Sequence, residues 1–136
     1  MTTVNKVLTT GPDIAEFEAL DFDVEAFDHI AHVYVAWQYV RDFDLLEAIS
    51  RYRDTLRRLT DQLGVPGKYH ETLTWFYLIK IAEQATGTAR TDWAVFRRRN
   101  PSLLQRSPGL VEAYYSADRL ASNEARAQFM LPDQIA

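Results

Sequence analysis

The sequence predicts an all-α fold: a compact bundle of four main helices, followed by short C-terminal helices, around a buried central helix. Apolar residues recur at three- and four-residue spacing over long stretches, and glycine or proline stands where those stretches end. No segment alternates with a period of two for long enough to predict a strand. With 136 residues, of which 47% are hydrophobic and 25% charged, the composition is typical of one globular domain.

Composition also excludes several classes of protein. The chain contains no cysteine, so disulfides and thiolate metal sites are excluded. A formal net charge of -4 argues against nucleic acid as a partner, although Arg97, Arg98 and Arg99 form a local basic run. The amino terminus does not resemble a secretory signal, and no uncharged run approaches the ~20 residues that cross a bilayer. We therefore expect a cytoplasmic protein without a membrane partner.

The amino-terminal residues are polar and end in a Gly-Pro pair. This pattern predicts a flexible tail over residues 1–11 and a single helical domain over residues 12–136. Pro12 and Asp13 favour the first turn of a short helix that continues to about Leu20, because proline lacks only a donor that has no partner there.

The second and third helices are predicted from their apolar stripes. The second covers about residues 24–41, with Asp23 as its cap, and the third covers about residues 45–63. Gly64 ends the third helix, since glycine readily adopts the left-handed conformation found at such ends. The stripe of the second helix consists of Ile30, Val33, Trp37 and Val40.

The fourth helix, about residues 69–86, is apolar on every side. A helix of this kind is normally the buried centre of its domain, and Gly87 ends it. Three shorter helices are then predicted at about residues 92–99, 108–115 and 123–130.

The chain has three histidines, and all of them lie near predicted helix starts. His29 and His32 are three residues apart, which makes them neighbours on one helix face. His70 lies at the start of the central helix, on the same side as Thr74 and Tyr77. If the two helices pack together, the three imidazoles can converge on a single site.

Imidazole titrates near neutral pH and is the commonest metal ligand, so such a site has two alternative chemistries. His29, His32 and His70 could bind a divalent ion, namely zinc, iron or copper, with an open position for a substrate. Without a metal, the same side chains could act as general acid and base in a lyase, isomerase or cyclase. The alternative is that the histidines only pack in the core. If the histidines have a functional rather than a structural role, replacing His32 or His70 with alanine is expected to leave the fold intact.

Further candidate site residues surround the histidines. An arginine near the end of a helical segment can bind a carboxylate through two parallel hydrogen bonds. A carboxylate beside imidazoles can act as a base or orient them. No glycine-rich phosphate loop is present, so neither a nucleotide nor a flavin is expected. The candidate catalytic residues are Glu71, Tyr69 and Thr74, and the candidate substrate-binding residues are Tyr77, Trp37 and Arg126.

Three segments of the chain each carry a distinct motif. The motifs are FxHxxHVxxAW at residues 27–37, KYHETLT at residues 68–74 and LxSxxxRxxF at residues 120–129, with Pro132-Asp133 following. In these segments the chain resembles an uncharacterised family of small bacterial all-helical proteins, over about residues 25–133. The resemblance gives weight to His29, His32 and His70 without naming a reaction.

Together these patterns favour a small helical enzyme that acts on a small organic substrate in a partly apolar, histidine-rich pocket. The second interpretation is a non-catalytic module that binds a ligand or another protein, and the third is a homodimeric structural protein. Bound metal would distinguish the metal-dependent enzyme from the other two.

Overall fold

A computed structural model describes residues 10–106 and 109–134, so most of the predicted tail over residues 1–11 lies outside the described residues. Throughout these two stretches the regular structure is helical and no strand is present, which confirms the predicted all-α class. No helix in the described residues is both long enough and apolar enough to cross a membrane. The described α-helices are α1 (Ile14–Glu18), α2 (His29–Asp42), α3 (Leu45–Gln62), α4 (Glu71–Gln84), α5 (Trp93–Arg99), α6 (Pro101–Leu104), α7 (Ala117–Ala121) and α8 (Asn123–Ala127).

Side-chain caps determine where most of these helices begin. A capping oxygen accepts a hydrogen bond from a backbone N–H that has no partner inside the helix. Aspartates do this at four helices, with N···O distances between 2.8 Å at α1 and 3.2 Å at α5. The capping aspartates are Asp13, Asp28, Asp44 and Asp92, which precede α1, α2, α3 and α5.

Two predicted helix boundaries near the amino terminus were wrong. Asp23 caps only a short 3₁₀ helix, Val24–Ala26. The backbone leaves the helical region at Phe27 (φ -85°, ψ 73°), so α2 starts behind Asp28 instead. The first predicted helix is also short, because α1 spans five residues and Leu20 then adopts a positive φ of 56°. The bundle therefore contains three long helices, α2, α3 and α4, among the described residues.

The central helix is α4, as predicted. It packs against both α2 and α3, and its Leu78 and Ile81 side chains are fully buried. Aromatic rings belong to the same core: Phe17 of α1 stacks on Tyr52 of α3 with ring centroids 5.4 Å apart. Residues just before α1 also belong to the core structure, since Gln38 donates a hydrogen bond of 2.9 Å to the Pro12 carbonyl.

The C-terminal segment, residues 109–134, is attached to the first turns of α4. Thr72 is fully buried, and its hydroxyl donates to the Gln128 carbonyl (3.0 Å) while it accepts from the Met130 N–H (3.1 Å). One turn later, the Trp75 ring stacks on Phe129 with centroids 5.0 Å apart. These contacts hold the segment beside the start of α4, where the candidate site residues are concentrated.

Replacing Thr72 with valine should lower the free energy of unfolding by about 1–3 kcal/mol. The substitution preserves side-chain shape but removes a hydroxyl that bonds two backbone groups, which leaves them without a partner. Urea unfolding measures the change, and Thr88→Val serves as control because Thr88 is exposed. A Thr72→Val protein as stable as the parent would contradict the attachment described here.

Candidate functional site

His29 and His32 lie together at the start of α2. The His29 Nε2 is 2.9 Å from the Leu103 carbonyl, and its ring makes a T-shaped contact with the Tyr77 ring, with centroids 5.4 Å apart. The His32 ring stacks on Phe27 at 4.0 Å. Burial, followed by repulsion from the nearby His29, lowers the pKa of His32 to about 4. His32 is therefore uncharged at neutral pH.

His70 has a different environment, as the cap of α4. Its Nδ1 accepts a hydrogen bond from the Leu73 N–H (3.2 Å), and its Nε2 donates to the Leu120 carbonyl (2.8 Å). These two partners determine the tautomer, with the proton on Nε2. Burial lowers the pKa of His70, and the nearby positive charge of Arg126 acts in the same direction. The ring is a neutral connector between α4 and the C-terminal segment.

The structure does not support the predicted convergence of the three histidines. His29 meets α4 at Tyr77, which is seven residues and therefore about 10 Å along the helix axis from His70. Over residues 10–106 and 109–134, no group of three His, Cys, Asp or Glu side chains is placed to hold a metal ion.

Glu71 and Tyr69 belong to a buried network. Glu71 is 6% exposed. The Tyr69 hydroxyl donates to its Oε1 (2.5 Å), Trp75 donates to its Oε2 (3.0 Å), and the Arg53 guanidinium lies 3.0 Å from Oε2. Burial opposes ionisation, but these hydrogen bonds outweigh it, so the pKa of Glu71 lies below its ordinary value. The carboxylate is ionised and joins α3, α4 and the connection between them.

The remaining predicted site residues are separated in the structure. Thr74 donates its hydroxyl proton to the His70 carbonyl one turn earlier (2.9 Å) and is almost fully buried. Trp37 is 2% exposed and donates to the Ala89 carbonyl, so it lies in the core. Tyr77 packs beside His29, as described above. None of these three side chains lines either of the two cavities described next.

Two open cavities flank the C-terminal segment. The larger, the His70 cavity, has a volume of about 580 Å³ and lies between the start of α4 and residues 111–134. Its apolar wall consists of Leu73, Val111, Tyr115 and Leu120, beside Ala117 and Ala121. The smaller, the Arg57 cavity, has a volume of about 380 Å³, and its lining includes Arg57, Thr60, Asp61, Tyr69, Glu71, Asn123 and Ala127.

Arg126 lines both cavities. Its side chain is exposed, and within the described residues its guanidinium makes a single hydrogen bond, to the Gly67 carbonyl (3.0 Å). A guanidinium has five N–H donors, so most of them are available to a ligand. Of the residues predicted to bind substrate, Arg126 is the one that lines these two cavities.

Arg53 and Arg57 were not predicted as site residues. They lie one turn apart on α3, and the sequence pattern assigns them to its solvent-exposed face. Arg57 packs over the Tyr69 ring, 5.8 Å from its centroid. Their four-residue spacing places both on one side of α3. The sequence alone could not show that this side contacts Glu71 and Tyr69, which come from another part of the chain.

Comparison with known proteins gives no match, whether with protein-family models, curated proteins or solved structures. The predicted family resemblance therefore stays a prediction, and the arguments below rest on geometry.

Replacing His70 with alanine should destabilise the protein by about 1–3 kcal/mol, which reverses the expectation drawn from the sequence. Alanine leaves the Leu73 N–H and the Leu120 carbonyl without their partner. His70→Asn should recover about 1 kcal/mol, because asparagine is among the best helix caps but cannot reach Leu120. Urea unfolding of all three proteins tests this, and equal stability of His70→Ala and the parent would refute it.

Replacing His32 with glutamine should reduce the loss of stability as the pH falls from 6.5 toward 4. The unfolded chain takes up a proton near pH 6.5, whereas the folded protein resists protonation of His32 until about pH 4. The contribution of His32 is therefore complete above pH 6.5 and is lost as the pH approaches 4. Urea unfolding at pH 7, 6 and 5 should show a steeper decline for the parent, by up to about 1.4 kcal/mol per pH unit. Parallel declines would contradict the burial of this ring.

Proposed function

We propose that the protein binds a small amphipathic organic anion, with the anionic group at Arg126 and the apolar part in the His70 cavity. One observation carries the proposal: a charged side chain with unused donors lies at the edge of an apolar cavity. Ligand sites commonly combine apolar walls with a few polar groups that determine orientation. The volume of about 580 Å³ suits a ligand of modest size.

The other polar groups of the His70 cavity are already bonded within the chain. Glu112 lines the same cavity, which favours an anionic group at the Arg126 end, away from this carboxylate. A polar group that is hydrogen-bonded within the chain has fewer donors or acceptors left for a ligand. Arg126 is therefore the main polar group that can bind one. The bonds run from Tyr115 to the Met130 carbonyl, from Ser116 to Asp133, from Gln134 to the Glu112 carbonyl and from the Gly109 N–H to the Glu112 side chain.

The same bonding favours binding over acid–base chemistry at this cavity. Both ring nitrogens of His70 have backbone partners, and the Ser116 hydroxyl donates to Asp133 at 2.6 Å rather than to His70. A serine nucleophile activated by His70 would need a hydrogen bond between these two side chains. The proposal therefore keeps the small organic molecule expected from the sequence, as a ligand in the cytoplasm, and adopts the non-catalytic alternative.

Hexanoate should bind the parent protein and shift the NMR amide signals of Leu73, Val111 and Leu120. Arg126→Gln should weaken this binding about tenfold or more, since a charge-assisted bidentate pair contributes about 1.5–3 kcal/mol. Uncharged hexanol, titrated in the same way, should bind both proteins equally. Binding of hexanoate that Arg126→Gln does not affect would refute the role of Arg126.

Two further variants are matched controls for this titration. Ala121→Phe places a ring in the His70 cavity and should abolish hexanoate binding without removing a native contact, because Ala121 is exposed on α7. Arg99→Gln removes an exposed arginine of α5 that lines neither cavity, and it should bind hexanoate like the parent. If Ala121→Phe binds normally, the ligand lies elsewhere.

A further inference from the structure

The Arg57 cavity brings a second arginine close to Arg126. Arg57 comes from α3 and Arg126 from α8, so the two side chains reach the cavity from different helices. Arg57 packs over the Tyr69 ring, and in the described part of the chain it has no ion pair. Within the same described residues, the Arg126 guanidinium is hydrogen-bonded to the Gly67 carbonyl alone. Both guanidinium groups therefore keep donors for a ligand.

Two carboxylates also line this cavity, and they do not neutralise the two arginines completely. The Glu71 carboxylate lines the cavity, but Arg53 lies 3.0 Å from it, and Tyr69 and Trp75 also donate to it. Its negative charge is thus balanced by a cation of its own. Asp61 is the other carboxylate of the lining, and it offsets the charge of one arginine, which leaves the charge of the other. An anion between the two arginines meets a net attractive field.

A pair of arginines from two sides fits a phosphate group better than a carboxylate. A carboxylate has two oxygens and one charge, which a single guanidinium can match. A phosphate monoester carries nearly two charges at neutral pH and three acceptor oxygens, so it can bond two guanidinium groups at once. The exposed Asn123 side chain lines the same cavity and adds a neutral donor.

We infer that the anionic group of the ligand is a phosphate monoester held between Arg57 and Arg126, with its attached apolar chain in the His70 cavity. The inference rests on the proposed function, because Arg126 lines both cavities and joins the two parts of the ligand. It adds a second cavity and a chemical class to that function.

Titration with hexyl phosphate and hexanoate tests the inference. The parent should bind hexyl phosphate about tenfold more tightly than hexanoate, as expected for one additional charge-assisted pair. Arg57→Gln should remove this preference and leave hexanoate binding unchanged, while Arg99→Gln should keep it. Asp61→Asn should tighten hexyl phosphate binding several-fold, because it removes the opposing carboxylate. Equal affinities of the parent for the two probes would overturn the inference.

Cavity-filling variants separate the two cavities. Ala127 is an exposed residue of α8 that lines the Arg57 cavity, so Ala127→Phe should remove the phosphate preference and retain hexanoate binding. Ala121→Phe should abolish binding of both probes. A phosphate preference that survives in Ala127→Phe would also overturn the inference.

Different results would contradict the proposed function and the phosphate assignment. If neither probe binds the parent, the proposed function fails. If both probes bind with the same affinity and Arg57→Gln changes neither, the proposed function stands and only the phosphate assignment fails. A pH series adds an independent readout: the phosphate preference should shrink between pH 7 and pH 5, because a phosphate ester dianion takes up one proton near pH 6 whereas carboxylates stay ionised to about pH 5.

Discussion

The buried carboxylate of Glu71 is the constraint on which the site region depends. A charge this far from solvent is tolerated only when it is paired and hydrogen-bonded. Arg53 supplies the pair from α3, Tyr69 approaches from the connection before α4, and Trp75 approaches from the next turn of α4 itself. Three parts of the chain are thereby held in one arrangement. His70 and Thr72 are the sequence neighbours of Glu71, so the same arrangement also holds them in place. Both of these residues attach the C-terminal segment.

Much of the fold could be predicted because its signals are local. Helix α3 was placed almost to the residue, since it has a regular apolar stripe, and Gly64 ends it with a positive φ of 74°. The start of α2 was missed because Asp23 and Asp28 are both good caps and each precedes a helical turn. Between the two aspartates, Phe27 leaves the helical region and its ring packs against Phe22, with ring centroids 4.9 Å apart. Tertiary contacts of this kind are not encoded in a local pattern.

The candidate site was less predictable, because its residues act through partners that are distant in sequence. His70 was identified as important, but its role as a helix cap bonded to Leu120 depends on how the C-terminal segment folds back. The spacing of residues along two helices placed His29 and His70 on inward faces. It contained no information on which turn of α4 His29 would contact. Arg126 was predicted from the general ability of arginine to reach back from a helix end, and it does line both cavities. Arg57 lies on a charged face, where arginines are most often only solvated.

The way the C-terminal segment is attached has a consequence for the order of folding. Helices α2 and α3 are separated by two residues, whereas the bonds from His70 to Leu120 and from Thr72 to Gln128 close loops of 50 and 56 residues. Closing long loops costs more conformational entropy and is slower than pairing neighbouring helices. The three-helix core can therefore assemble first, with the segment joining it afterwards. Since residues of this segment form one wall of each cavity, an incompletely folded chain has no finished cavity, and any ligand stabilises only the fully assembled protein.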